Sequence, residues 1–189
     1  MDTMRASVVV AAAVEAGAVL VNDVSGGLAD PVMISAVAAA RVPFVVMHWR
    51  GHLQGGNVKG RYDDVVTEVV DELRARVDAA VAGGIAPDRV IVDLGLGFSK
   101  DADHDLALLA HADRLHALRL PLLIAASRKR FRGRILTGLD GAPPPPRERD
   151  AATAATSALA ASAGAWAVRV QEVSATADAV RVARALEKT

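Results

Sequence analysis

The chain has 189 residues, 52% of them hydrophobic and 23% charged, a globular composition with room for one domain and little room for two. Lys plus Arg (22) cancels Asp plus Glu (22) and aromatics are only 3%, which excludes a basic nucleic-acid-binding domain and a base-stacking single-strand platform. Absence of cysteine excludes disulfides, thiolate metal sites and a cysteine nucleophile, and suits a cytoplasmic protein. Met1–Arg5 lacks a basic region followed by an apolar stretch, so no signal peptide is expected, and no apolar run reaches the roughly 18 residues of a membrane span.

The first expected element is a helix over Arg5–Glu15, ended by Gly17, followed by a strand over Ala18–Val21. Asp30–Pro31 reads as an N-cap with proline at the first helical position, opening a helix over Pro31–Ala40. A strand over Val42–Met47 follows, then a loop marked by Gly55-Gly56. The longest helix spans Tyr62–Ala82, with Val65, Val69, Leu73, Val77 and Val81 at four-residue spacing and Gly83–Gly84 at its end. Next come a strand over Val90–Val92, a helix over Asp105–Ala117 and a strand over Pro121–Ala125. Arg128–Arg134 reads as a solvated helix start, and Pro143–Pro146 as a short stiff loop within Gly141–Arg149. A helix over Asp150–Ala163, a strand over Ala165–Val168 and a helix over Ala175–Glu187 close the series. The strands are continuous apolar runs, as in a parallel sheet buried on both faces. The order is that of an α/β protein with right-handed crossovers, either a doubly wound sheet or a (β/α)8 barrel.

Each strand runs into a polar cluster at its carboxyl end: Asn22-Asp23, His48, Asp93, Ser127-Arg128-Lys129, and Arg169 with Gln171. Capping explains one such residue; five in succession mark the strand ends as the site, where barrels and open parallel sheets both hold ligands. Asn22 and Asp93 offer oriented acceptors and a donor for a heterocycle with amino and ring N–H edges. Lys129, Arg128 and Arg169 supply cations for a phosphate or carboxylate. Together they suggest group transfer with departure of a phosphorylated fragment. Gly95-Leu96-Gly97-Phe98 lacks the third glycine of a dinucleotide fingerprint and reads as a tight turn. His104, His111 and His116 read as solvated helix histidines, leaving His48 as the one histidine at a strand end; without an HxH or HExxH spacing no zinc site is expected.

Asp2-Thr3, Asn22-Asp23-Val24-Ser25-Gly26, Met47-His48, Asp93-Leu94-Gly95-Leu96-Gly97-Phe98, Ser127-Arg128-Lys129-Arg130-Phe131 and Arg169-Val170-Gln171 resemble, in order, the signatures of the dihydropteroate synthase family. The resemblance implies a (β/α)8 barrel and the condensation of a hydroxymethyl-dihydropterin pyrophosphate with para-aminobenzoate, helped by Mg2+. It implies pterin contacts at Asp2, Asn22, Asp93 and Lys129, with Met47 packing nearby. The aminobenzoate pocket falls to Ser127, Phe98 and Arg128, and pyrophosphate binding to Arg169 and the position of Gln171. Catalytic roles fall to Lys129, Arg169 and Asp93, with the C–O bond breaking largely before the amine attacks. No metal ligand is implied among these residues.

The chain departs from the family pattern in several places. Gln171 stands where the family has a histidine, Leu94 where it has proline, and Asp105 where it has asparagine. The resemblance also starts at the tip of the family's third strand. The first strands, their helices and two mobile loops carrying a metal- and pyrophosphate-binding Asn and a Thr-Arg pair are then missing. The expectation is one incomplete barrel domain over residues 1–189, from a truncated gene product or a start assigned too late, with two exposed sheet edges. The family resemblance implies a homodimer through helices near the chain's end, where the small residues of Ala151–Gly164 allow close packing. Two other readings are a pterin-dependent methyltransferase, which has no pyrophosphate for Arg169 to hold, and a non-catalytic paralogue, which Gln171 and the missing loops favour.

Overall fold

The computed structural model describes residues 1–9, 16–51, 60–137 and 141–187. Five parallel strands form one sheet: β1 (Val21–Asp23), β2 (Phe44–Met47), β3 (Val90–Asp93), β4 (Leu122–Ile124) and β5 (Ala167–Val168). Their spatial order is their chain order, β1-β2-β3-β4-β5. That is the singly wound order of a barrel wall, so the fold is a parallel α/β half-barrel and the doubly wound alternative falls. Helices α1 (Met33–Ala40), α2 (Val65–Ala82), α3 (Ala102–Ala110), α4 (Arg130–Ile135), α5 (Asp150–Ser162) and α6 (Ser174–Leu186) connect and close it.

Side chains on a strand alternate between faces, and here the two faces differ in bulk. Val21, Phe44, Val46, Val90, Val92, Leu122 and Ile124 join residues of α1 through α5 in the main core, between sheet and helices. Val45, Ile91, Leu123 and Ala125, with Leu20 and Ala167, form a smaller cluster on the opposite, concave face. The strand edges of β1 and β5 are the two ends of the sheet. Residues 1–3 run along β1: Asn22 N donates to Met1 O (2.7 Å), Thr3 N donates to Asn22 O (3.0 Å), and Asp2 bridges to Asn22.

Several expected boundaries move for identifiable reasons. The first strand begins at Val21 and runs through Asn22 and Asp23, because its register against Phe44–Val46 buries both polar residues. Asp30 is not the cap of α1: its Oδ1 accepts from Val32 N (3.1 Å), and its Oδ2 accepts from Ala6 N (2.8 Å), tying the helix entry to the preceding segment. Helix α2 starts at Val65 because Asp64 accepts from Val66 N and Thr67 N. Its four-residue apolar spacing drifts about 40° per step against a 3.6-residue turn. Val65, Val69 and Leu73 are therefore buried, while Val81 reaches the surface and Ala80 takes its place. Helix α3 starts three residues before the expected Asp105, capped by a reciprocal pairing of Asp101 and His104, and passes into a 3-10 turn over Ala112–Leu118. His104 is accordingly half-buried against Tyr62, not solvated, whereas His111 and His116 are exposed. Residues 6–9 are helical and Arg5 is not; residues 10–15 of the expected helix and the Gly55-Gly56 loop lie outside the described residues.

Candidate active site

The concave cluster sets the site's position by simple alternation. Leu20, Val45, Ile91, Ala125 and Ala167 point inward; two residues further along each strand stand Asn22, Met47, Asp93, Ser127 and Arg169. Apolar residues thus fill the lower layer, and the layer above, at the carboxyl ends, is polar apart from Met47. A cavity of about 510 Å³ opens beside Asn22 and Arg169, with Leu20, Leu123 and Ala167 in its wall.

Asn22, Asp93 and Arg169 are in contact. Arg169 Nη1 donates to Asn22 Oδ1 (2.6 Å), and Nη2 lies 3.2 Å from Asp93 Oδ2, an ion pair not aligned as a hydrogen bond. Asp93 Oδ1 accepts from Gly95 N (2.9 Å), while Oδ2 and Asn22 Nδ2 have no hydrogen-bond partner although both are buried. Burial pushes the Asp93 carboxyl above the usual carboxylate range, and Arg169 opposes that shift. A buried acceptor and a buried donor, both beside Arg169, are what an amino-heterocycle edge can satisfy.

The turn after β3 carries Phe98 under Lys129, with Nζ 4.4 Å from the ring centroid. Burial lowers the Lys129 pKa, and Asp93 raises it. Gly95 and Gly97 adopt φ of 64° and 75°. A Cβ on Gly95 would collide with the His48 carbonyl oxygen, and one on Gly97 would press on the Lys129 stem at 3.1 Å. Ser127 Oγ accepts from the backbone N of Gln171 (3.3 Å), whose side chain is exposed. Arg128 turns away from this cluster into a two-pronged pair with Asp150 (2.8 and 2.7 Å). Asp23, the other half of the first polar pair, is wholly buried and accepts from Ser25 N, Ser25 Oγ and Gly27 N, so it builds its loop and does not face the site.

Four residues escaped the sequence reading: Lys100, Glu72, Arg50 and Arg149. Lys100 is buried, and its ammonium meets His48 Nδ1 (2.8 Å), Gly95 O (3.1 Å) and Phe98 O (3.1 Å). An ammonium only donates, so His48 Nδ1 accepts and Nε2 carries the proton it shares with Glu72 Oε2 at 3.0 Å. Glu72 is held in turn by Arg50, whose guanidinium also lies over Tyr62, 3.9 Å from the ring centroid. Burial pulls the His48 pKa down to about 4, with Lys100 adding to the effect, and pulls Lys100 down to about 8. Arg149 is buried and donates to Pro144 O (2.8 Å) and to Arg128 O and Lys129 O (both 3.3 Å). Glu72 sits on what reads as the polar face of a helix, and nothing local distinguishes Arg149 from its exposed neighbours. Asp105 is buried and accepts from Gly97 N (2.8 Å); burial raises its pKa, with Lys100 and Lys129 opposing. Among the described residues no three or more His, Asp or Glu side chains converge as a metal site would require.

A family model described as pterin binding enzyme matches residues 1–171. The dihydropteroate synthase of Mycobacterium leprae (strain TN) is 50% identical over 183 residues, 96% of this chain and 64% of that protein. The solved dihydropteroate synthase from Xanthomonas albilineans in complex with 7,8-dihydropteroate superposes with a TM-score of 0.88 at 40% identity, covering 100% of this chain and 66% of the other. The same enzyme with 4-aminobenzoic acid gives 0.89, also at 40% identity, covering 100% and 64%. The chain thus spans just under two thirds of the length of these relatives.

Proposed function

The chain belongs to the pterin binding enzyme family, and from that premise we propose that it serves the dihydropteroate synthase reaction of folate biosynthesis. In that reaction a hydroxymethyl-dihydropterin pyrophosphate and para-aminobenzoate give dihydropteroate and pyrophosphate. The observation that carries this reading is the inward layer of Asn22, Asp93 and Arg169, with unsatisfied polar atoms on the first two. Support comes from the relatives' names and from the dihydropteroate and 4-aminobenzoic acid bound in the Xanthomonas albilineans enzyme.

In this reading the pterin's amino and ring N–H groups replace the Arg169 guanidinium on Asp93, and Asn22 turns its amide to the heterocycle. Asp2, beside Asn22, and Met47 border the same ring. The freed Arg169, with Lys129, then faces the pyrophosphate. As the C–O bond of the hydroxymethyl group breaks, its electron pair leaves with pyrophosphate. The Asp93 side offsets the positive charge left on the pterin, and Arg169 the negative charge that departs. The amine of aminobenzoate, bordered by Ser127 and Phe98, forms the new C–N bond and loses its proton to water. Mg2+ is part of the proposed reaction, but the described residues do not fit it with a ligand set, and no step above passes through it.

Pyrophosphate release on mixing both substrates with Mg2+ tests the proposal; turnover supports it. Pterin binding without any release favours the second reading, a non-catalytic paralogue. One observation favours that reading: Gln171 offers no cation and its side chain is exposed. Gln171→His would then restore release if that position alone is limiting. We also propose that a second copy covers α5, where Leu159 is 72% exposed beside a 290 Å³ apolar cavity; light scattering at twice the chain mass checks this.

A further inference from the structure

We propose that Lys100 is a positioning residue of the site: its ammonium, oriented by the His48–Glu72–Arg50 chain, clasps both ends of the turn after β3 and so aims Asp93 and Phe98. The inference rests on reading the strand-end layer as a pterin site, although the clasp itself is a property of the free protein. Lys100 directs its ammonium to three neutral acceptors: Gly95 O, Phe98 O and His48 Nδ1. The two carbonyls bracket the turn. Its inward-facing amides are used by carboxylates, with Gly95 N on Asp93 Oδ1 and Gly97 N on Asp105 Oδ1. The far end of the turn places Phe98 beneath Lys129. Releasing the clasp therefore loosens the acceptor for the heterocycle and the ring beneath the cation together.

The chain behind Lys100 fixes which way it points. His48 leaves β2, its Nε2–H is anchored by Glu72 of α2, and Arg50 holds Glu72 from the other side. The charged groups around the ammonium are Asp105, Asp93 and Glu72, which favour its protonation, and Arg50, which opposes it; Lys129 acts on the same two aspartates. Burial brings Lys100 into titration near pH 8. A neutral amine has two N–H groups for three acceptors, so one contact lapses above that pH.

The test compares wild type with Lys100→Met, His48→Asn and His48→Leu. Amide exchange at Gly95 and Gly97 is followed by NMR without ligand, and the affinity for 6-hydroxymethyl-7,8-dihydropterin is measured by calorimetry. Asn carries its Oδ1 near the place of His Nδ1 and keeps an acceptor for Lys100; Leu does not. We expect Lys100→Met and His48→Leu to speed exchange at both glycines about tenfold, the loss of one charge-assisted hydrogen bond, while Ile91 and Val92 are unchanged. Pterin affinity should fall by a similar factor, with His48→Asn, which keeps the acceptor but loses the Glu72 anchor, between wild type and His48→Leu. Wild-type affinity should also step down above pH 8, a step absent from Lys100→Met. Unchanged exchange in Lys100→Met, or equal behaviour of the Asn and Leu variants, overturns the clasp. If Lys100→Met does not fold, the two His48 variants decide it. Failure of wild type to bind pterin overturns the site reading alone, because the exchange data still judge the clasp.

Discussion

The turns after β3 and β4 face the same task by different means. Each brings reactive side chains to the rim of the sheet, and each leaves backbone carbonyls that need donors. After β3 the donor is local: Lys100 reaches back to Gly95 and Phe98 within its own turn. After β4 it is remote: Arg149, just before α5, reaches Arg128 O and Lys129 O about twenty residues upstream. Burial brings the lysine pKa down to about 8. The first turn is therefore expected to respond to pH and the second to depend on the packing of a later helix.

Backbone substitution gives the largest expected contrast. Gly95→Ala puts a Cβ against a carbonyl oxygen at positive φ and should cost roughly 3 kcal/mol. Gly97→Ala meets only the movable stem of Lys129 and should cost about 1 kcal/mol; urea midpoints of the two variants measure the difference. Equal losses would mean that the close approach to His48 does not limit the turn. Next in size, Arg149→Met should lower stability by about 2 kcal/mol through unpaired carbonyls.

The pH profile sharpens the contrast from the other side. His48 titrates near pH 4 when folded and near 6.5 when unfolded, so between these values the unfolded chain binds more protons. Stability should fall as pH drops from 6.5 to 4, and His48→Asn should remove that part of the slope. Lys100 has the same sign in a higher window: between pH 8 and 10.5 its contribution to stability rises, even as the clasp loses a donor. The smallest effect belongs to Arg128→Ala. It removes a partly exposed pair with Asp150 and should change stability least among these variants.

The strand-end polar residues were legible because alternation is a local rule. An apolar strand that ends in Asn, Asp or Arg shows both the buried face and where it stops. The same rule missed the inward-facing pairing of Arg169 with Asn22, since a contact across 147 residues leaves no trace in spacing. Asp23 misled for a related reason: its turn chemistry with Ser25 and Gly27 resembles that of a ligand-binding carboxylate until the hydrogen bonds are known. Helix ends moved wherever a side-chain cap competed with the apolar pattern, as at Asp64 and Asp101. Lys100 and Arg149 were invisible because nothing beside them in the chain shows that a long charged side chain is buried.

In the proposed reaction the inward layer of Asn22, Asp93 and Arg169 receives the pterin. Calorimetric titration of 6-hydroxymethyl-7,8-dihydropterin into wild type, Asp93→Asn and the surface control Arg181→Ala tests it most directly. We expect wild type and Arg181→Ala to bind alike, and Asp93→Asn to bind about a hundredfold more weakly, the loss of a charged buried acceptor. Equal affinity in wild type and Asp93→Asn would contradict the account.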